Sequence, residues 1–190
     1  NRNMPRVQGR SNIHVNDIDI FVEHDEELRA IGQYPDVAAA RNIARYVSRL
    51  VDDGSTMQMS LGATSDANIA ALMEKNNLGI HTQYVTNTIM KLMAMGVVTN
   101  RKKGFNEGKI ICSNAIGTKD LYDLLDNNSA VEFHPSKYVN DPRVISQNHK
   151  MVAMNIGKEI DLTGQVAADA LAYNNFSGVT GIVDFFRGAC

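Results

Sequence analysis

From about residue 56 to residue 156, strand-length apolar runs and helix-period stretches alternate about six times, with short connections between them. A parallel strand pair needs a crossover that packs back onto the sheet, so this alternation argues for an α/β fold. The expected architecture is a mostly parallel sheet with helices on both faces. The strand readings are 56–61, 78–84, 97–99, 109–114, 130–133 and 151–156, with 160–166 closing the regular part. The helix readings are 67–75, 87–94 and 119–125, the last ended by Asp126-Asn127-Asn128. An earlier helix opens at Pro35-Asp36 and stops at Gly54, with Ala40, Ile43, Ala44, Val47, Leu50 and Val51 marking one buried face. Residues 13–23 place Ile13, Val15, Ile18, Ile20 and Val22 in near alternation and read as a strand kinked at Asn16-Asp17.

Charge and cysteine usage narrow the function classes. Nineteen Lys+Arg against 21 Asp+Glu leave a net charge of −2, unlike the basic surface of a phosphate-backbone binder, so no nucleic-acid partner is expected. The polar, basic start is no secretory signal, and no apolar stretch approaches the roughly 18 residues of a membrane span. Cys112 and Cys190 form no metal or disulfide pattern. A cytoplasmic protein without membrane or metal is therefore expected. The start lacks an initiator methionine and the end is apolar, which reads as a segment of a longer protein. A composition change lies near residues 26–33, between the first strand region and the first long helix.

In parallel sheets, ligands bind beyond the carboxyl ends of the strands. The loops after Leu61, Gln83, Asn114 and Val166 are thus where function should sit. The turn holding Gly62 and Ser65 precedes a helix N-terminus and could bind an anion, although most such turns only connect elements. Gly178, Val179, Thr180 and Gly181 form a glycine-flanked turn whose N–H groups could face an oxyanion or phosphate; a plain turn is the alternative. His81 reads as a hydrogen-bonded core histidine before a general base, and Cys112 as a buried inert thiol. His134 and His149 lie in loops with no carboxylate at a fixed helical offset. Residues 24–27 read as a solvated charge run, 101–104 as an exposed basic loop with phosphate binding as the alternative, and the methionines of 87–94 as core filler.

Taken together, LGIHTQ (78–83), GVVTNRKKGFNEGKI (96–110), GTKDLYDLLDNN (117–128), EFHPSKYVNDP (132–142), DLTGQVAADA (161–170) and FSGVTGIVDFFRGA (176–189) resemble the acetyl-CoA hydrolase/transferase family. These are class I CoA-transferases such as the 4-hydroxybutyrate and acetate CoA-transferases, and the resemblance covers nearly the whole chain. FSGVTG resembles the branch that carries an N-acetyltransferase domain downstream. The resemblance implies two related domains of the NagB/RpiA/CoA-transferase-like α/β type with the active site between them. This chain is similar to the later one over 36–190, which the resemblance implies to be truncated at its C-terminal end, preceded by a connecting segment, 1–35. The partners implied are a preceding domain, an acyl-CoA, a small carboxylic acid and further copies in a homo-oligomer. No permanently bound cofactor is implied, since coenzyme A is a substrate.

The family's chemistry follows a ping-pong route. A glutamate carboxylate attacks the thioester carbonyl, releases CoA thiolate and becomes an acyl-glutamyl anhydride. The thiolate returns to the glutamyl carbonyl, releasing the first acid and leaving a glutamyl-CoA thioester that a second carboxylate resolves. Carried onto this chain, the glutamate of the family's HTE step falls on Gln83. A carboxamide is uncharged and weakly nucleophilic, so losing the covalent route costs more than about 4 kcal/mol of barrier. Thr180 also replaces a glycine of the common GVGG loop, and the turn at 62–65 lacks a proline often found in the family. Three functions stay open from the sequence: a transferase or hydrolase using another carboxylate or an oriented water, an acyl-CoA-binding module, or a structural piece. By itself the fragment is expected to be inactive.

Overall fold

The computed structural model describes residues 1–32, 37–62, 67, 70–168, 170–171, 174–175 and 181–190. The expected helix opening at Pro35-Asp36 lies outside them.

Strands β1 (Gln8–Gly9), β2 (Thr56–Met59), β3 (Gly79–Ile80), β4 (Tyr84–Thr86), β5 (Ile110–Cys112), β6 (Asn114–Ile116), β7 (Val131–Phe133) and β8 (Met151–Met154) pair in parallel throughout. One ladder runs β3-β2-β8 and another β1-β7-β5. A bridge between His81 and Ile111 joins them, giving the order β8-β2-β3-β5-β7-β1, while β4 pairs with β6. The later hairpins, β9 (Glu159–Ile160) with β10 (Val166–Ala167) and β11 (Ala170–Leu171) with β12 (Asn174–Asn175), are antiparallel.

Helices α1 (Ala38–Ser48), α2 (Asn87–Ala94), α3 (Lys119–Leu125), α4 (Ser136–Val139), α5 (Pro142–Ile145) and α6 (Ile182–Ala189) supply the crossovers and coverings. Side chains alternate across a strand, and the core divides accordingly. Met57, Met59, Ile80, Ile110 and Cys112 face one layer, where they meet Ile89 and Leu92 of α2 and Leu121 and Leu125 of α3. Ile111, between Ile110 and Cys112, faces the other layer, with Val139, Ile145 and Phe185. Each such fully buried aliphatic side chain contributes about 1.5–3 kcal/mol. Met90 and Met93 pack against the first layer, as filler should.

Several readings change. The helix expected to run to Gly54 is α1, which ends at Ser48, and of its expected buried face Ala40 and Ala44 are buried while Ile43 and Leu50 are exposed. The expected strand at 13–23 is a 3₁₀ turn, Val15–Asp17, in otherwise irregular, solvent-exposed chain, because no neighbouring strand takes up its backbone groups. The run 78–84 is two strands rather than one, broken by a bend at Gln83. Residues 97–99 contribute a single bridge, Leu78 to Val98, and Lys103 of the supposedly exposed basic loop is fully buried while Arg101 and Lys102 are exposed. The short helices α4 and α5 carry no clear period in the sequence; α5 is opened by Pro142 behind the Asp141 carboxylate, which accepts from Arg143 N–H.

Candidate functional site

Parallel strands deliver their carboxyl ends to one edge, and Gln83 follows β3 at that edge. Its carbonyl accepts from Asn114 N–H (2.9 Å) and Ser113 N–H (3.2 Å), which pins the bend to the end of β5. Behind it, Thr82 N–H donates to Ile111 O (2.9 Å), and Thr82 Oγ1 donates to Met59 O (3.3 Å). Strands β2, β5 and β6 thus hold Thr82 and the backbone of Gln83.

The half-buried Gln83 side chain faces the start of α6. A Cβ placed on Gly181 would lie 3.3 Å from Gln83 Oε1 and 2.6 Å from Asn140 Nδ2. A larger residue there would push the Asn140 carboxamide aside. Gly181 caps α6, its carbonyl accepting from Phe185 N–H (3.0 Å). Asn140 closes α4, its N–H donating to Ser136 O (2.8 Å), while its Oδ1 is buried without a partner among the described residues, as is Ser113 Oγ. Buried polar atoms are ordinarily paired, so these two are candidate partners for a polar ligand group.

Of the residues singled out from the sequence, Gln83 and Gly181 come together. Gly178, Val179 and Thr180 lie outside the described residues, as does Ser65. Gly62 follows β2 with φ 128°, and a Cβ there would meet Ile156 Cδ1 at 3.0 Å. Asn140 is the site residue that sequence reading missed; the motif EFHPSKYVNDP contains it, but no spacing distinguishes it from the other polar residues of that loop.

His81 lies behind the bend in the second core layer, with Nε2 2.8 Å from Val139 O and its ring edge-on to Phe185. Burial pushes its pKa down to about 4, so it stays neutral. Burial likewise pushes the Cys112 thiol up, keeping it protonated. His134 stacks on Tyr138 and contacts the Glu132 carboxylate at 3.2 Å. Residues 24–27 are exposed, with Asp25 paired to Arg2 at 3.3 Å. Among the described residues no His/Cys/Asp/Glu group is placed to hold a metal, and no helix is long and apolar enough to cross a membrane.

Residues 117–190 match the family described as acetyl-CoA hydrolase/transferase C-terminal domain. The 4-hydroxybutyrate coenzyme A transferase of Clostridium kluyveri is 42% identical over 190 residues, all of this chain and 44% of its own length. The succinyl-CoA:cyclohexane-1-carboxylate CoA transferase of Geobacter metallireducens is 35% identical over the whole chain and 43% of its length. Among solved structures, RipA from Yersinia pestis superposes with a TM-score of 0.90 at 34% identity, covering 98% of this chain and 43% of RipA. The 4-hydroxybutyrate CoA-transferase of Porphyromonas gingivalis does so with 0.86 at 33% identity, over 98% and 44%. The chain thus spans less than half the length of these relatives. Residues 117–190 thus match the C-terminal domain of the acetyl-CoA hydrolase/transferase family, and the whole chain is similar to CoA-transferases with the same parallel-sheet fold.

Proposed function

We propose that this chain forms one wall of a CoA-transferase active site, in which CoA moves between an acyl-CoA and a small carboxylic acid and Gln83 occupies the nucleophile position. The observation that carries this reading is the approach of Gln83 Oε1 to Gly181, beside the Asn140 carboxamide, at the carboxyl edge of the sheet. A thioester carbonyl set against the Gly181 turn would find N–H donors, and the Asn140 Nδ2 group adds another. The other wall comes from a preceding domain, which residues 1–35 connect to this one. No bound cofactor is needed, since the acyl-CoA brings the group to be transferred.

What Gln83 lacks is charge. In the complete protein, Gln83→Glu should raise transferase turnover at least about tenfold. Borohydride or hydroxylamine should then trap a glutamyl-CoA adduct at that residue. An unchanged rate with no adduct removes residue 83 from the chemistry.

The neutral carboxamide also supports a second reading, an acyl-CoA-binding module that holds the thioester without turning it over. Calorimetry with CoA on the unaltered protein separates the two. Binding without turnover selects the module, and turnover selects the transferase or hydrolase.

A further inference from the structure

The loop that follows α2 enters the sheet where β3 and β5 part. Leu78 N–H donates to Val97 O (2.9 Å), and Leu78 O accepts from Thr99 and Asn100 N–H (both 3.0 Å), so this loop edges the start of β3. At the other end, Thr82 N–H donates to Ile111 O of β5 (2.9 Å). Parallel ladders repeat their bonds every second residue. Continued back from Thr82, the ladder would join Ile80 N–H to Lys109 O. Instead, Ile80 N–H donates to Asn100 Oδ1 (2.8 Å). Lys109 O accepts from Lys103 Nζ (2.9 Å), which donates to Ile80 O as well (2.8 Å). Two side chains of one loop replace a rung of the sheet.

The replacement is built in. Lys103 is fully buried and Asn100 nearly so. Gly79 makes room for the lysine stem, since a Cβ there would collide with Lys103 Cγ and stand 3.1 Å from its Cδ. Burial pulls the amine down to about 7, against the opposing pull of the Glu132 carboxylate. Burying an amine is costly, and a well-packed apolar residue often stabilises a fold as well or better. Stability alone is a poor reason for this lysine.

We infer that Lys103 and Asn100 position residue 83. By filling the gap between β3 and β5 they set where the chain bends beyond Thr82, and so where the Gln83 side chain meets Gly181 and Asn140. This rests on residue 83 being the reacting position. Neither residue reaches that site itself; both are positioning residues that act through the backbone of Ile80.

The test uses the complete protein carrying Gln83→Glu, with Lys103→Met or Asn100→Gly added. Asn100 has φ 58°, which glycine adopts freely, so Asn100→Gly removes the acceptor without backbone strain and serves where Lys103→Met fails to fold. Turnover per folded active site should fall about tenfold or more, since small misplacements of a reacting group cost that much. KM for the acyl-CoA should stay within about twofold, because binding contacts are untouched. Asn100→Asp, which keeps the acceptor oxygen, should recover most of the rate. Hydrogen exchange should accelerate in peptides spanning 79–86 and not in those spanning α3. An unchanged rate with unchanged exchange in folded Asn100→Gly overturns the inference, and so does equal acceleration across both regions, the mark of general loosening. If Gln83→Glu gains no activity, the reading of residue 83 fails by itself, and the exchange measurement still decides whether the two side chains hold this segment.

Discussion

His81 shows how one buried group ties the site to solution conditions. Val139 O can only accept, so Nε2 carries the ring proton, and Nδ1 is left buried without a partner. A second proton on the ring would put an unpaired charge in the core. The folded pKa of about 4 lies below the unfolded value near 6.5, so between these values only the unfolded chain takes up the proton. Stability from this residue is complete above pH 6.5 and is lost as pH falls toward 4, by roughly 3 kcal/mol. His81→Gln keeps a donor for Val139 O and removes the titration. Urea denaturation at pH 7 and at pH 4.5 should show a smaller acid loss for the variant than for the wild type. Equal losses would place the acid sensitivity elsewhere.

At the scale of elements, α6 matters because it begins at Gly181 and so carries one side of the candidate site. Its seat is the contact with α5. A Cβ on Gly188 would lie 2.5 Å from both Cβ and Cγ2 of the buried Ile145 and 3.1 Å from Pro142 O. The branched Ile145 is fixed close to its own backbone and cannot swing away. Gly188→Ala should therefore destabilise the protein by about 1–3 kcal/mol through overpacking, although alanine favours the helix by about 1 kcal/mol. Thermal denaturation reads this directly; a raised melting temperature would show that the two helices can separate at little cost. The same contact explains why α6 is legible only in part from the sequence. Its apolar start after the glycine turn is visible, but its angle to α5 depends on a glycine and an isoleucine more than forty residues apart.

Across the whole molecule, several large apolar side chains stand open to solvent among the described residues. Ile20 is 81% exposed, Phe21 80% and Leu50 81%, with Ile13, Val15, Val22 and Ile43 also open to solvent. Residues 13–22 hold five of these in one short segment, an apolar stretch suited to a contact, and the relatives are more than twice as long as this chain. In the complete protein, residues 13–22 should resist hydrogen exchange and limited proteolysis relative to the isolated chain. Ile20→Ser with Phe21→Ser should lower the melting temperature of the complete protein and leave that of the isolated chain unchanged. Equal protection in both forms would leave the surface without its proposed cover.

Local patterns were enough to determine the alternation of strands and helices, the bounds of α2 and α3, and the motifs that carry the family. These are set by periodicity and turn chemistry within a few residues, and periodicity reports which face is apolar. The break of the 78–84 run at Gln83, the burial of Lys103 and the meeting of Gln83, Asn140 and Gly181 were decided by the tertiary structure alone. Each depends on which backbone groups a distant segment leaves to be satisfied. Lys103 is buried because β3 and β5 leave two carbonyls facing one gap, and no reading of the four residues around it could have shown that gap.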